Sequence, residues 1–170
     1  MTLQAGEHNI ALPEIDAAAD AMPWVAPRAY SFALGACPPS HHSPGWISSC
    51  FHWTVRMANI QDAIMKLCYG LRPTRPGLAE WGSLCAQLDG WAAELPAALA
   101  IHSFALSTPP PHLITLQITH QKAVLLLHRP FFDHQSSGAR LSASKCEDAA
   151  ENMLKLLEVS SDGVRPPSIA

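Results

Sequence analysis

Charge is scarce in this chain: Asp, Glu, Lys and Arg make up 15% of its 170 residues, where an ordinary soluble domain carries roughly 25%. A fully solvated surface would hold more of them, so some faces are built to be covered, by further helices or by a second copy of the chain. The basic residues are also scattered. Their closest grouping, Arg72 and Arg75, is divided by Pro73, and the net charge is −3. No basic stripe exists that could neutralise a phosphate backbone, which argues against direct nucleic-acid binding.

Paired cysteines are missing too. Cys37, Cys50, Cys68, Cys85 and Cys146 contain no C-x-x-C pair, which excludes a zinc-cluster pattern and gives no disulfide framework. Cys68, Cys85 and Cys146 fall inside apolar helical patterns, as reduced, core-packed thiols of a nuclear or cytosolic protein would. No apolar run approaches the roughly 20 residues that span a bilayer, and no basic-then-apolar leader is present. A membrane location is therefore not expected. Nucleophilic catalysis has no G-x-S-x-G elbow to rest on, and Gly70, Gly77 and Gly82 lack the spacing and the Lys-Ser/Thr of a phosphate loop. The chain reads as non-catalytic, with no cofactor.

Nine histidines raise the question of a metal. The densest set of soft ligands, Cys37, His41, His42, Cys50 and His52, matches no zinc spacing. His128, Asp133 and His134 contain the composition of a two-histidine, one-carboxylate site, but Pro130 forces an abrupt exit between them. No metal site is assigned.

What the chain does have is proline, 15 residues of it, and 48% apolar residues. Proline dominates residues 1–46, where Pro13, Pro23, Pro27, Pro38, Pro39 and Pro44 interrupt every candidate helix, and the segment reads as extended and loop-dominated. A helix follows from about 48 to 69, with a serine as its N-cap and an apolar face that includes Phe51, Val55, Ile60, Ile64 and Leu67. Gly70 and Pro73 end it. A second, from about 77 to 95, carries Leu78, Trp81, Cys85, Leu88, Ala92 and Leu95 at alternating steps of three and four, which is a packing seam. After the stiff Pro109-Pro110-Pro111 turn, residues 113–128 are apolar on nearly every side, as a central helix would be. The last helix is expected from Ser144 to about Val159, opened by a Ser144/Glu147 capping box and lined by Ala149, Ala150, Met153, Leu154 and Leu157. Residues 160–170 read as a flexible tail. The expected fold is all-α: an irregular bundle of about four main helices behind a Pro-rich N-terminal segment.

The junction Leu125-Leu126-Leu127-His128-Arg129-Pro130-Phe131-Phe132 is the most specific feature. Proline lacks a backbone donor and disfavours the α conformation before it, so the helix should end near Arg129 and the two rings pack beyond it. His128 stands at the helix end, where the dipole would favour a protonated ring. His120, mid-helix, reads as a core histidine bonded to a neighbouring helix. Trp46, Trp53, Trp81 and Trp91, with Phe51 and Met57, read as core packing before they read as an effector pocket.

Taken with upstream His120 and downstream Cys146, Ala149 and Ala150, this junction resembles the "YH…LLHRPF…C…AA" signature of the fungal-specific regulatory domain, or middle homology region, of zinc binuclear cluster transcription factors of the xylanolytic-activator type. Leu12-Pro13-Glu14 with Trp24, and Trp91 with Leu95-Pro96, are similar to its "LP…D…W" and "W…LP" elements. The resemblance spans about two-thirds of the chain, in the family's order. It implies the C-terminal part of an all-α regulatory domain, residues 47–159, acting in the nucleus. DNA and zinc would be bound only by the family's six-cysteine cluster, which these residues lack. The implied partners are the preceding part of the regulatory domain, other proteins, a second copy, or a small-molecule effector. His120, His128, Arg129, Pro130, Phe131, Phe132 and Trp91 are the structural and partner-contact candidates. A small helical interaction or scaffold protein with no link to DNA is the alternative.

Overall fold

The computed structural model describes residues 11–24, 44–70, 77–100, 109–131 and 137–162. Among these residues five α-helices are formed: α1 (Ala17–Ala21), α2 (Ile47–Tyr69), α3 (Leu78–Glu94), α4 (Pro111–His128) and α5 (Ser137–Asp162), with 3₁₀ turns at Ala97–Leu99 and Arg129–Phe131. The fold is all-α, with four main helices. Among the described residues the only strand-like pairing is an isolated bridge between Pro23 and Pro44. Cys37, His41, His42, Arg72, Arg75, Phe132, Asp133 and His134 lie outside the described residues.

α4 is the hub, packed against α2, α3 and α5. Its sequence is apolar on several sides, and it buries Leu113, Ile114, Leu116, Ala123 and Leu127 together with the polar Gln117, Gln121 and His128. Buried polar groups need partners. Gln117 meets this by donating to the Leu99 carbonyl of the preceding 3₁₀ turn. α2 contributes Cys50, Trp53, Met57 and Ile64 to the core, and α3 contributes Leu84, Leu88 and Trp91, each at helical spacing. The Trp91 indole N–H donates to the Trp53 carbonyl at 3.2 Å, and the two rings meet edge to face.

The end of α4 follows from Pro130. In an α-helix the Leu126 carbonyl would accept from the N–H of residue 130, and proline has none. The Tyr69 hydroxyl donates to that carbonyl instead, at 3.0 Å, tying the last turn of α2 to the last turn of α4. The chain does not break at Pro130: Arg129 is still right-handed, its N–H bonds Leu125 O, and the path tightens into the 3₁₀ turn that delivers Phe131 to the interior.

Three expectations need correction. The start of α2 is not capped by its own serine. Its N-cap residue is Trp46, left-handed at φ 53° and without a side-chain cap bond. The cap is supplied from α1: the buried Asp20 carboxylate accepts from Ser49 N at 2.9 Å and from the Ser49 hydroxyl. α1 itself is a helical turn in the gap between Pro13 and Pro23, capped by Asp16. Second, α5 begins at Ser137, so Ser144 is interior and no capping box forms there. The helix reaches back because Ser142 is fully buried and pairs with His128 across 3.3 Å. Its winding also continues past the expected end at Val159, to Asp162. Third, the exposed sides differ from the expected seams. Phe51 is 60% exposed, Leu78 78% and Leu154 61%, while α5 buries the narrow line Ser142, Ala149 and Leu156.

Candidate functional site: a cleft between α3, α4 and α5

A cleft of about 450 Å³ opens between α3, α4 and α5. α3 contributes Trp81, Cys85, Leu88 and Ala92, which recur at steps of four and three and so share one face, with Asp89 at its edge. α4 contributes His120, Gln121, Val124 and His128. α5 closes the third side with residues that include Leu141, Lys145, Asp148, Ala149 and Asn152. The floor is apolar and aromatic, and the charges lie at the mouth, where Lys145 approaches Asp89 at 3.9 Å between exposed side chains.

The two histidines stand at opposite ends of the α4 wall. His120 lies flat on Trp91, with ring centroids 5.0 Å apart and planes at 14°. Its contact with a neighbouring helix is therefore this stack. Among the described residues it makes no interhelical hydrogen bond, and its polar contact is within α4: Gln121 Nε2 donates to His120 Nδ1 at 3.2 Å. A neutral ring that accepts at Nδ1 carries its proton on Nε2. Burial lowers the His120 pKa, with Asp89 opposing and Lys145 adding to the effect. His128 is lowered as well, first by burial and then by Lys145. Desolvation thus outweighs the helix dipole that would favour a charged ring there.

Behind His128 the aromatic residues lock together. Trp81 meets His128 edge to face at 5.5 Å and Phe131 at 5.0 Å. The Trp81 indole N–H is sealed from solvent without an acceptor among the described residues, so this ring is held by packing alone. Phe131 is buried, Pro130 is half-buried and Arg129 is exposed. Of the residues singled out from sequence, His120 and His128 line the cleft, Trp91 and Phe131 support its walls from behind, and Arg129 faces outward.

Sequence reading passed over Gln121, Asp89, Lys145 and Ser142. Their only signal is helical spacing: Lys145, Ala149 and Asn152 step along α5 by four and three, as Cys85, Asp89 and Ala92 do along α3. Cys85 is a cleft residue with a quiet thiol: burial, and then Asp89, push it up to about 11, which leaves it protonated at neutral pH. Burial likewise raises the thiols of Cys50, Cys68 and Cys146. Among the described residues these four cysteines are free, and no three His, Cys, Asp or Glu side chains are grouped as metal ligands. No helix of the described residues is long and apolar enough to cross a membrane.

Comparisons with protein-family models, with curated proteins and with solved structures find no match.

Proposed function

We propose that this chain is a non-catalytic regulatory module, the C-terminal part of a fungal transcription factor's regulatory domain, controlling DNA-templated transcription in the nucleus through contacts with neighbouring domains, protein partners or an effector. The observation that supports this reading is convergence. His120, His128 and Ala149, three residues of the signature that the chain resembles, line one cleft. Phe131 and Trp91, from the same signature elements, brace its walls. A signature that marked helix ends alone would not need to gather across three helices. DNA and zinc belong to a cluster outside these residues. Protonated Cys85 and two neutral histidines without a carboxylate hydrogen bond favour binding over covalent chemistry in the cleft.

The test is a reporter experiment in a fungal nucleus. The chain is fused between a heterologous DNA-binding domain and an activating segment. Output should fall below that of the activator without the insert, and Phe131→Ala should relieve the effect. Equal output from all three fusions would sink the proposal.

A second reading, a helical interaction or scaffold protein with no link to DNA, is favoured by the exposed Leu154 and Leu157 on one side of α5. It predicts partner-dependent or self-association without any reporter effect.

A further inference from the structure

The cleft has the dimensions and the chemistry of a small-molecule site. Its volume, about 450 Å³, falls in the range of ligand pockets, roughly 300–1,000 Å³. Trp81, Leu88, Val124 and Ala149 offer an apolar bed for a ring-sized body. The charges of the lining are Asp89 and Asp148 against Lys145. That surplus of negative charge disfavours an anion. A cation is disfavoured by the donor that faces it, because His120 carries its proton on Nε2 when Gln121 donates to Nδ1. That Nε2–H has no hydrogen-bond partner among the described residues, and it is absent from the atoms sealed from solvent. It is held still by the stack on Trp91. A rigid, unused donor that solvent still reaches, at the wall of an apolar cleft, is matched by an acceptor oxygen on a ligand that displaces that water.

We propose that the cleft between α3, α4 and α5 binds an uncharged organic molecule with a ring-sized apolar body and a carbonyl oxygen, and that His120 Nε2–H donates to that oxygen. The contact of His120 with Trp91 makes binding readable through tryptophan emission. This binding activity does not rest on the regulatory reading, since it is measured on the purified chain. A silent reporter with intact binding, or the reverse, separates the two.

The probe is prodan, an uncharged naphthalene ketone whose emission shifts to the blue on leaving water. Saturable binding of one molecule per chain is expected, with quenching of tryptophan emission. Ala92→Trp, at an exposed cleft position, should abolish it by filling the space. His120→Phe keeps a ring on Trp91 and removes the donor. It should weaken prodan by about tenfold, the equivalent of one hydrogen bond of about 1.4 kcal/mol. The same substitution should leave dimethylaminonaphthalene, which lacks the ketone, within about twofold. Phe51→Ser and Leu154→Ser, on exposed apolar positions away from the cleft lining, should change nothing. Helical circular dichroism identifies any variant that fails to fold, and the paired comparison of the two probes on His120→Phe needs no occluding variant. Prodan binding that survives Ala92→Trp, that is lost in Phe51→Ser or Leu154→Ser, or that weakens equally for both probes in His120→Phe would overturn the proposal. So would the absence of saturable binding.

Discussion

Phe131 is the residue on which the junction closes. Its ring is 5% exposed and leans on Trp81, so Phe131→Ala removes a buried ring and leaves a cavity. The expected loss is about 3–5 kcal/mol in denaturant unfolding, and an unchanged midpoint would remove Phe131 from the core. Tyr69 poses a finer question, because it serves a carbonyl that Pro130 leaves without a donor. Its hydroxyl stays protonated, since burial raises its pKa. Tyr69→Phe should cost about 1 kcal/mol in the native background and clearly less after Pro130→Ala, which returns an N–H to Leu126. A double-mutant cycle with no coupling would refute the link. The two cleft histidines make stability sensitive to mild acid. Both have folded pKa values below the ordinary 6.5, so the unfolded chain binds protons first as pH falls. Stability from this source is complete above about 6.5 and declines as pH drops from there through the folded values, where the loss levels off. His120→Phe should flatten that decline in unfolding experiments between pH 7 and 5. Sequence alone placed both histidines on α4, but it could not weigh burial against the helix dipole at His128, because that balance depends on Trp81 and Lys145, which reach it from other helices.

At the scale of elements, most boundaries were legible and the failures share a cause. α2, α3 and α4 obey local rules, apolar periodicity and the stops at Gly70 and Pro96, although α4 begins at Pro111, inside the expected proline turn and ahead of the expected Leu113. α5 was misread at its start because the Ser144/Glu147 pattern is a sound local cap that a tertiary contact overrides, with Ser142, just before Ser144 in the folded helix, buried against His128. α1 and the cap of α2 were misread for the same reason. Asp20 is distant in sequence from Ser49, and only folding brings its carboxylate to the open N–H groups of α2. A short peptide turn becomes the clip on a 23-residue helix. The clip is reinforced at Gly45, whose N–H donates to Met22 O at 2.7 Å and whose carbonyl accepts from His112 Nε2 at 2.6 Å. Asp20→Ala should therefore cost about 2 kcal/mol, a cap and a buried donor left unmet, and should raise hydrogen exchange in the first turn of α2 while the end of α2 at Tyr69 stays protected. Uniform loss of protection along α2 would show that α1 is part of the global core instead of a local clip.

At the scale of the whole molecule, the exposed apolar residues of α5 follow from the geometry of that helix. The apolar set Ala149, Ala150, Met153, Leu154 and Leu157 is wider than the line that α5 presents to its neighbours, where Ala149 and Leu156 are buried and Leu154 and Leu157 are left outside. Leu154 and Leu157, one turn apart, lie on the same side of the helix, with Glu151 and Glu158 at its margin. Under the regulatory reading this strip meets other parts of a larger domain; under the scaffold reading it meets partners. On the isolated chain either reading leaves it open to a second copy. Sedimentation should accordingly give a mass that rises above the monomer's 18.4 kDa with concentration. Leu154→Glu with Leu157→Glu should hold the chain monomeric with unchanged helical content, because neither side chain is part of the core. A chain that is monomeric at every concentration would mean that the strip is tolerated by solvent and that Glu151 and Glu158 suffice to keep a second copy away.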